Sequence, residues 1–167
     1  MKTIELTPNQ IITLNDYPVY SDSVLSEYFS KCKSGDDVPF VPVIRKDLVR
    51  KYFDSKLLEE FEKFEHQNPV AEYFMLDGSH RTTALTLAGC KITAIIYETN
   101  SDIKDAKKLV ATGQILQNGT LDDSLEENCE VLYQHFKEKP YFMTVEQKTE
   151  KMKRENKLPS KITNSYK

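Results

Sequence analysis

No apolar run in this chain of 167 residues approaches the ~20 residues that a membrane-spanning helix needs. The opening Met1-Lys2-Thr3-Ile4-Glu5 lacks the apolar core of a secretory signal. A cytoplasmic protein with no membrane partner is the resulting expectation. Cysteine is scarce. Cys32, Cys90 and Cys129 are odd in number, far apart and in no CxxC pair, which argues against a disulfide framework or a zinc site and for three small buried hydrophobes. Internal repeats and low-complexity segments are absent as well. The net charge of −3 excludes a general polyanion magnet. The charge is uneven, however: from Lys148 to Lys167 seven basic residues face two acidic ones. Such an end either touches an acidic partner or is a solvated helix with a frayed tail.

What is present is the composition of one ordinary folded domain, 39% hydrophobic and 29% charged. "TIELTPNQIITLN" alternates like one or two short strands around a turn at Pro8-Asn9. "SDSVLSEYFSKCK" puts Val24, Leu25, Tyr28, Phe29 and Cys32 on one helical face, stopped by Ser34-Gly35-Asp36. "FVPVIR" reads as a strand, and its Pro42 argues for an edge or a strand end. "DLVRKYF" and "SKLLEEFEKFEH" are helical, the second closed by Asn68-Pro69. Its acidic residues Glu59, Glu60, Glu62 and Glu65 read as a solvated face. "AEYFML" and "KITAIIYE" are continuous apolar runs of the kind that form covered strands, and between them "TTALTLAG" has room only for a short helix. The last third is helical, with Ser124/Glu127 and Thr144/Gln147 as capping boxes. The expected fold class is α+β: a core over residues 1–100, a helical extension over 101–158 packed on it, and a basic flexible tail over 159–167. The strands Tyr73–Leu76 and Lys91–Tyr97 are expected to be neighbours in a small mixed sheet, with Thr82–Ala88 packed on them.

Between strand and short helix lies Asp77-Gly78-Ser79-His80-Arg81-Thr82. The first N–H groups of a helix lack internal partners, and the helix dipole places partial positive charge there, so such a junction suits an anion. Gly78 would let a phosphate approach the backbone, Ser79 and Thr82 offer hydroxyls, and Arg81 offers a planar fork of donors. His80 can donate a hydrogen bond or move a proton, and Asp77 can orient His80 or Arg81, hold Mg2+ or accept a proton. The bland alternative is an ordinary helix start with a capping residue and two surface cations.

"FMLDGSHRTTALTLAGCKITAIIYE" resembles the central motif of the ParB/sulfiredoxin superfamily, and "IELTPNQI" and "VPFVPVIR" resemble its opening strand, L-x-P turn and next strand. The resemblance covers roughly residues 3–98 and implies a small mixed sheet of that type binding a nucleotide (ATP, ADP or CTP) at the turn. Ser79 stands where sulfiredoxin has its catalytic cysteine, which excludes sulfinic-acid repair. Ser79 and His80 also replace the Glu and Arg of the G-E-R-R-like turn of ParB proper, and no helix-turn-helix domain is evident. The D-G-H-H-R-like turn of free serine kinases matches at Asp77, Gly78, His80 and Arg81. Those kinases use an acidic residue just after the L-x-P segment, where this chain has Asn9-Gln10; Glu5, Asp16 or Asp22 are the available substitutes.

The resemblance therefore implies a phosphotransferase acting on a small hydroxylated acceptor, with Asp77 and His80 catalytic and Gly78, Ser79, His80, Arg81 and Thr82 binding the nucleotide, Mg2+ being a possible companion. The alternatives are a module in which a nucleotide regulates contact with DNA or protein, and a degenerate, purely structural copy of the fold; nucleic acid is the less favoured partner. His66 and His135 read as surface residues of helices. Tyr17, Tyr20, Tyr97 and Tyr141 are either base-stacking or core residues.

Overall fold

The computed structural model describes residues 2–19 and 21–165. Five strands, β1 (Lys2–Leu6), β2 (Ile11–Ile12), β3 (Val41–Arg45), β4 (Tyr73–Met75) and β5 (Ile92–Ile96), form one mixed sheet in the order β1-β5-β3-β4-β2. β1 runs antiparallel to β5, β5 parallel to β3, β3 antiparallel to β4, and β4 parallel to β2. Strand alternation sorts the apolar side chains onto two faces. Val41, Val43, Tyr73, Met75, Ile92, Ala94 and Ile96 go to one core cluster, and Ile44, Phe74, Ile95 and Tyr97 to the other.

The second face is covered by α3 (Ser55–Gln67) through Leu57, Phe61 and Phe64, by α5 (Asn100–Lys108), and by α6 (Leu125–Glu138) through Leu132 and Phe136. The first is covered by α4 (Ser79–Leu87) through Leu85 and by α7 (Val145–Arg154) through Val145. On the far side of α4 lies a third cluster, formed with α1 (Asp22–Lys33) and α8 (Ser160–Asn164). α4 is thus sandwiched, and all but His80 and Thr86 of its nine residues are buried. A helix buried on both sides has little polar face, which fits its weakly amphipathic "SHRTTALTL". The remaining short helix is α2 (Lys46–Val49), followed by a 3-10 turn at Arg50–Tyr52. Capping boxes at Ser124/Glu127 and Thr144/Gln147 open α6 and α7, as their sequence indicates.

Several expectations are corrected. β4 and β5 are not neighbours: β3 lies between them, so the β4–α4–β5 connection spans two strand spacings. β3 takes the middle because Val41, Val43 and Ile44 are apolar on both faces, a pairing that no local pattern encodes. Pro42 is therefore in the central strand. Its carbonyl accepts from Leu76 N (2.9 Å), and its missing N–H falls where β4 has already ended at Met75. Cys32 and Cys90 are bonded to each other, tying the end of α1 to the α4–β5 turn across 58 residues of sequence, while Cys129 is free and buried. The supposed flexible tail is helical over Ser160–Asn164, and Ile162 is fully buried against the third cluster, so in the described part the apolar contact outweighs the polar composition. Glu65 is not a solvated residue: it pairs with Lys46 at 3.0 Å and Arg50 at 2.8 Å. Among the described residues no helix is long and apolar enough to cross a membrane.

Candidate functional site

The junction between β4 and α4 is held by Arg81. Its side chain points back beneath the turn and is buried to 2% exposure. Nη1 donates to Phe40 O (2.7 Å) and Pro39 O (3.2 Å), and Nη2 donates to Asp77 Oδ2 (2.7 Å). Gly78 adopts φ 109°, a left-handed conformation that favours glycine. A Cβ there would lie 3.2 Å from Arg81 Nη2, 3.3 Å from Cζ and 3.4 Å from Val41 Cγ2. Gly78 is thus required by the turn and by the guanidinium packed against it. Thr82 is buried too, its hydroxyl donating back to Gly78 O (3.0 Å), with Ser79 O at 3.2 Å. Of the expected binding residues, Arg81 and Thr82 are consequently committed to the fold. Burial pulls the Arg81 pKa down and Asp77 opposes it, and the guanidinium stays charged.

The residues left facing outward are different. A cavity of about 250 Å³ is lined by Leu14, Asp16, Val24, Tyr28, Leu116 and the turn from Asp77 to Arg81. At its base is the N-terminus of α4, whose first N–H groups have no intrahelical acceptor. α1, α3, α5, α6 and α7 are each capped there by a Ser, Asp or Thr side chain, whereas Gly78 supplies α4 with none. Ser79, 7% exposed, lines the same cavity with a buried Oγ that has no hydrogen-bond partner. Buried hydroxyls in native folds are rarely left so, and this one belongs to a residue of the cavity wall. Thr83 Oγ1, one turn further along α4, is also unpartnered but is not part of this cavity's lining.

Sequence reasoning did not identify Lys148, and it left Asp16 as one of three substitutes. Asp16 lines the cavity, while Glu5 sits on β1 beside Lys91 and Asp22 is an exposed first residue of α1. Lys148, on α7, is fully buried and paired with Asp16, and its Nζ also donates to Thr13 Oγ1 (3.3 Å). Asn9 and Gln10 only close the turn, accepting from the Thr7 hydroxyl and N–H respectively. Asp77 and Asp16 each keep one carboxylate oxygen free of hydrogen bonds within the described residues. Among the described residues no three His, Cys, Asp or Glu side chains come together as a metal site, so a Mg2+ ion here would have at most these carboxylates as protein ligands.

The loop carrying Asp16 is strapped down by two imidazoles. His80 Nε2 accepts from Ser21 N (3.2 Å), and His135 Nε2 accepts from Asn15 N (2.9 Å). Each ring must be neutral, with its proton on Nδ1, to act as acceptor. His135 therefore has a definite partner and is only half-exposed, whereas His66 is exposed on α3. Burial lowers the pKa of both His80 and His135. Asp16 and Asp77 oppose this at His80 while Lys148 adds to it; Asp16 and Glu138 oppose it at His135 while Lys139 adds to it. Of the tyrosines, Tyr97 is core, Tyr17 donates to Glu155 (2.7 Å) under Lys151, Tyr141 lies beside Lys151, and Tyr20 is outside the described residues.

No family model matches the chain, and neither a curated protein nor a solved structure matches it significantly.

Two outcomes follow from this geometry. Arg81→Ala should lower the unfolding free energy by about 3 kcal/mol or more, because it orphans two carbonyls and leaves a void, so a denaturant midpoint equal to wild type would refute the clamp. The unfolded chain binds more protons than the folded one just below the ordinary histidine value of 6.5. The stability from the neutral rings is therefore present above that pH and is lost as pH falls through the range beneath it. A midpoint series in that range should slope downward with acid, and His80→Gln/His135→Gln should flatten it; an unchanged slope would remove the two rings as its cause.

Proposed function

We propose that the chain is a divergent relative of the ParB/sulfiredoxin superfamily that binds nucleotide phosphates at the α4 N-terminus and moves a phosphoryl group to a small hydroxylated acceptor. The observation that carries this reading is the buried, unpartnered Ser79 Oγ at an uncapped helix N-terminus that opens into a cavity. The N–H groups of Ser79, His80 and Arg81 would hold phosphate oxygens, with Ser79 Oγ as a further donor. Arg81 acts from behind, by fixing the turn. The cavity is large enough for phosphates, and exposed Leu116 with Tyr28 at the rim offers an apolar surface for a base outside it. Phosphoryl transfer is mostly positioning and charge neutralisation, which such a site can supply.

The acid expected after the L-x-P segment is assigned to Asp16. Its free oxygen would take the proton of the acceptor hydroxyl while the acceptor oxygen bonds to phosphorus and the bond to the leaving phosphate breaks. Magnesium, where bound by Asp77, would neutralise phosphate charge. His80, whose Nε2 accepts from Ser21 N, would orient the loop that carries Asp16. The regulatory alternative would use an open basic face: Lys148 is buried and Lys151 is over Tyr17, which leaves the exposed Lys153, Arg154, Lys157 and Lys161 for it.

A thermal-shift panel of nucleotides with and without magnesium should show stabilisation, about 2.7 kcal/mol at a hundred times the dissociation constant. Ser79→Ala should weaken that binding by about 1.5–3 kcal/mol without loss of fold. With labelled ATP or ADP and a mixture of hydroxy amino acids and small alcohols, wild type should form a phosphorylated acceptor and Asp16→Asn should not. Binding without transfer would support the regulatory module instead, and no nucleotide binding at all would refute both.

A further inference from the structure

Lys148 occupies a position that the pattern of α7 reserves for an apolar residue. Val145, Lys148, Thr149 and Met152 follow the i, i+3, i+4, i+7 spacing of a buried stripe, and all four are buried. Val145 packs into one core cluster and Met152 into another, so a methionine would suit position 148 as well. A buried ammonium carries a large desolvation cost, which its partners have to offset. Those partners are Asp16 and Thr13, both on the loop after β2, and among the described residues the third Nζ hydrogen has no acceptor.

The cavity at the α4 N-terminus explains the choice of lysine. Two carboxylates line it, Asp77 and Asp16, and a phosphate entering there would meet both. Each is matched from behind by one buried cation, Arg81 for Asp77 and Lys148 for Asp16. Arg81 has a second duty to the Pro39 and Phe40 carbonyls; Lys148 has only Asp16 and Thr13. Lys148 also lies close enough to the cavity to act electrostatically on His80.

We propose that Lys148 is a positioning residue that cancels the charge of Asp16, so that an anion can bind beside a carboxylate aimed at the same cavity. The proposal rests on the reading of the α4 N-terminus as an anion site. It also gives the helical last third a function: α7 brings to the site a cation that the β4–α4 turn cannot provide.

The test uses the full chain with pyrophosphate, a probe that carries no base and no acceptor, and reads affinity by calorimetry at low salt. Asp16→Asn removes one negative charge and leaves Lys148 without its counter-ion, so it should bind about tenfold tighter than wild type. Lys148→Met leaves Asp16 uncompensated and should bind about tenfold weaker or worse. The double variant Lys148→Met/Asp16→Asn should return to within about threefold of wild type; a purely structural pair would also be rescued in the double variant, but would make Asp16→Asn bind weaker rather than tighter. Wild-type affinity in Lys148→Met, or a double variant as weak as Lys148→Met, would overturn the proposal. Should Lys148→Met fail to fold by circular dichroism, Asp16→Asn decides alone: tighter binding supports the proposal, and equal or weaker binding overturns it. A wild-type chain that binds neither pyrophosphate nor nucleotide would remove the anion site itself, and this proposal with it.

Discussion

The Arg81 guanidinium is the contact on which the geometry of the β4–α4 junction depends. It joins the segment entering β3 at Pro39-Phe40 to the β4–α4 junction, 41 and 42 residues later in sequence, where it also pairs with Asp77. Because these donors are used internally, Gly78 must be in the left-handed region without a side chain, and α4 must start without a capping residue. The price of that arrangement is an uncapped helix N-terminus and a buried serine hydroxyl left unpartnered. Both are satisfied if an anion completes the site.

Around this corner the chain repeats one device, a carboxylate at the cavity backed by a buried cation. Asp77 has Arg81, from the motif itself, and Asp16 has Lys148, from a helix that begins some sixty residues after the motif ends. The loop carrying Asp16 is further held by His80 and His135 through its own backbone N–H groups. The α6 and α7 helices are therefore more than a cover for the sheet. They supply an imidazole and an ammonium that hold the loop over the site, and the core clusters mix their side chains with those of the strands.

The parts of the fold that were legible in the sequence are those governed by local pattern. Strand runs, the short α4, the helices α5, α6 and α7 of the last third and the capping boxes at Ser124 and Thr144 follow from spacing and cap chemistry, but the last third is not wholly helical: α5 ends at Lys108 and only a 3-10 turn at Gly119–Leu121 precedes α6. The order of strands did not, since the insertion of β3 between β4 and β5 is a matter of non-local pairing. The disulfide was invisible for the same reason, Cys32 and Cys90 being brought together only by the packing of α1 on α4. At the site, the residue types of Asp77 to Thr82 marked the right place but not their directions. Arg81 read as an outward arm, although Asp77 and Arg81 are four residues apart across a helix start, a spacing that also permits an internal pair. Lys148 read as part of a solvated basic end; its place in an apolar stripe was the signal that could have separated it from Lys151, Lys153 and Lys157.

The central claim is that the first amides of α4, and not the basic surface of α7, receive a phosphate. It is tested most directly by recording amide proton and nitrogen shifts while the full chain is titrated with pyrophosphate. The account predicts that the largest saturable shifts fall on Ser79, His80 and Arg81, with Asp16 following as its partner Lys148 responds. Shifts confined to Lys153, Arg154 and Lys157, with the α4 amides unmoved, would contradict it.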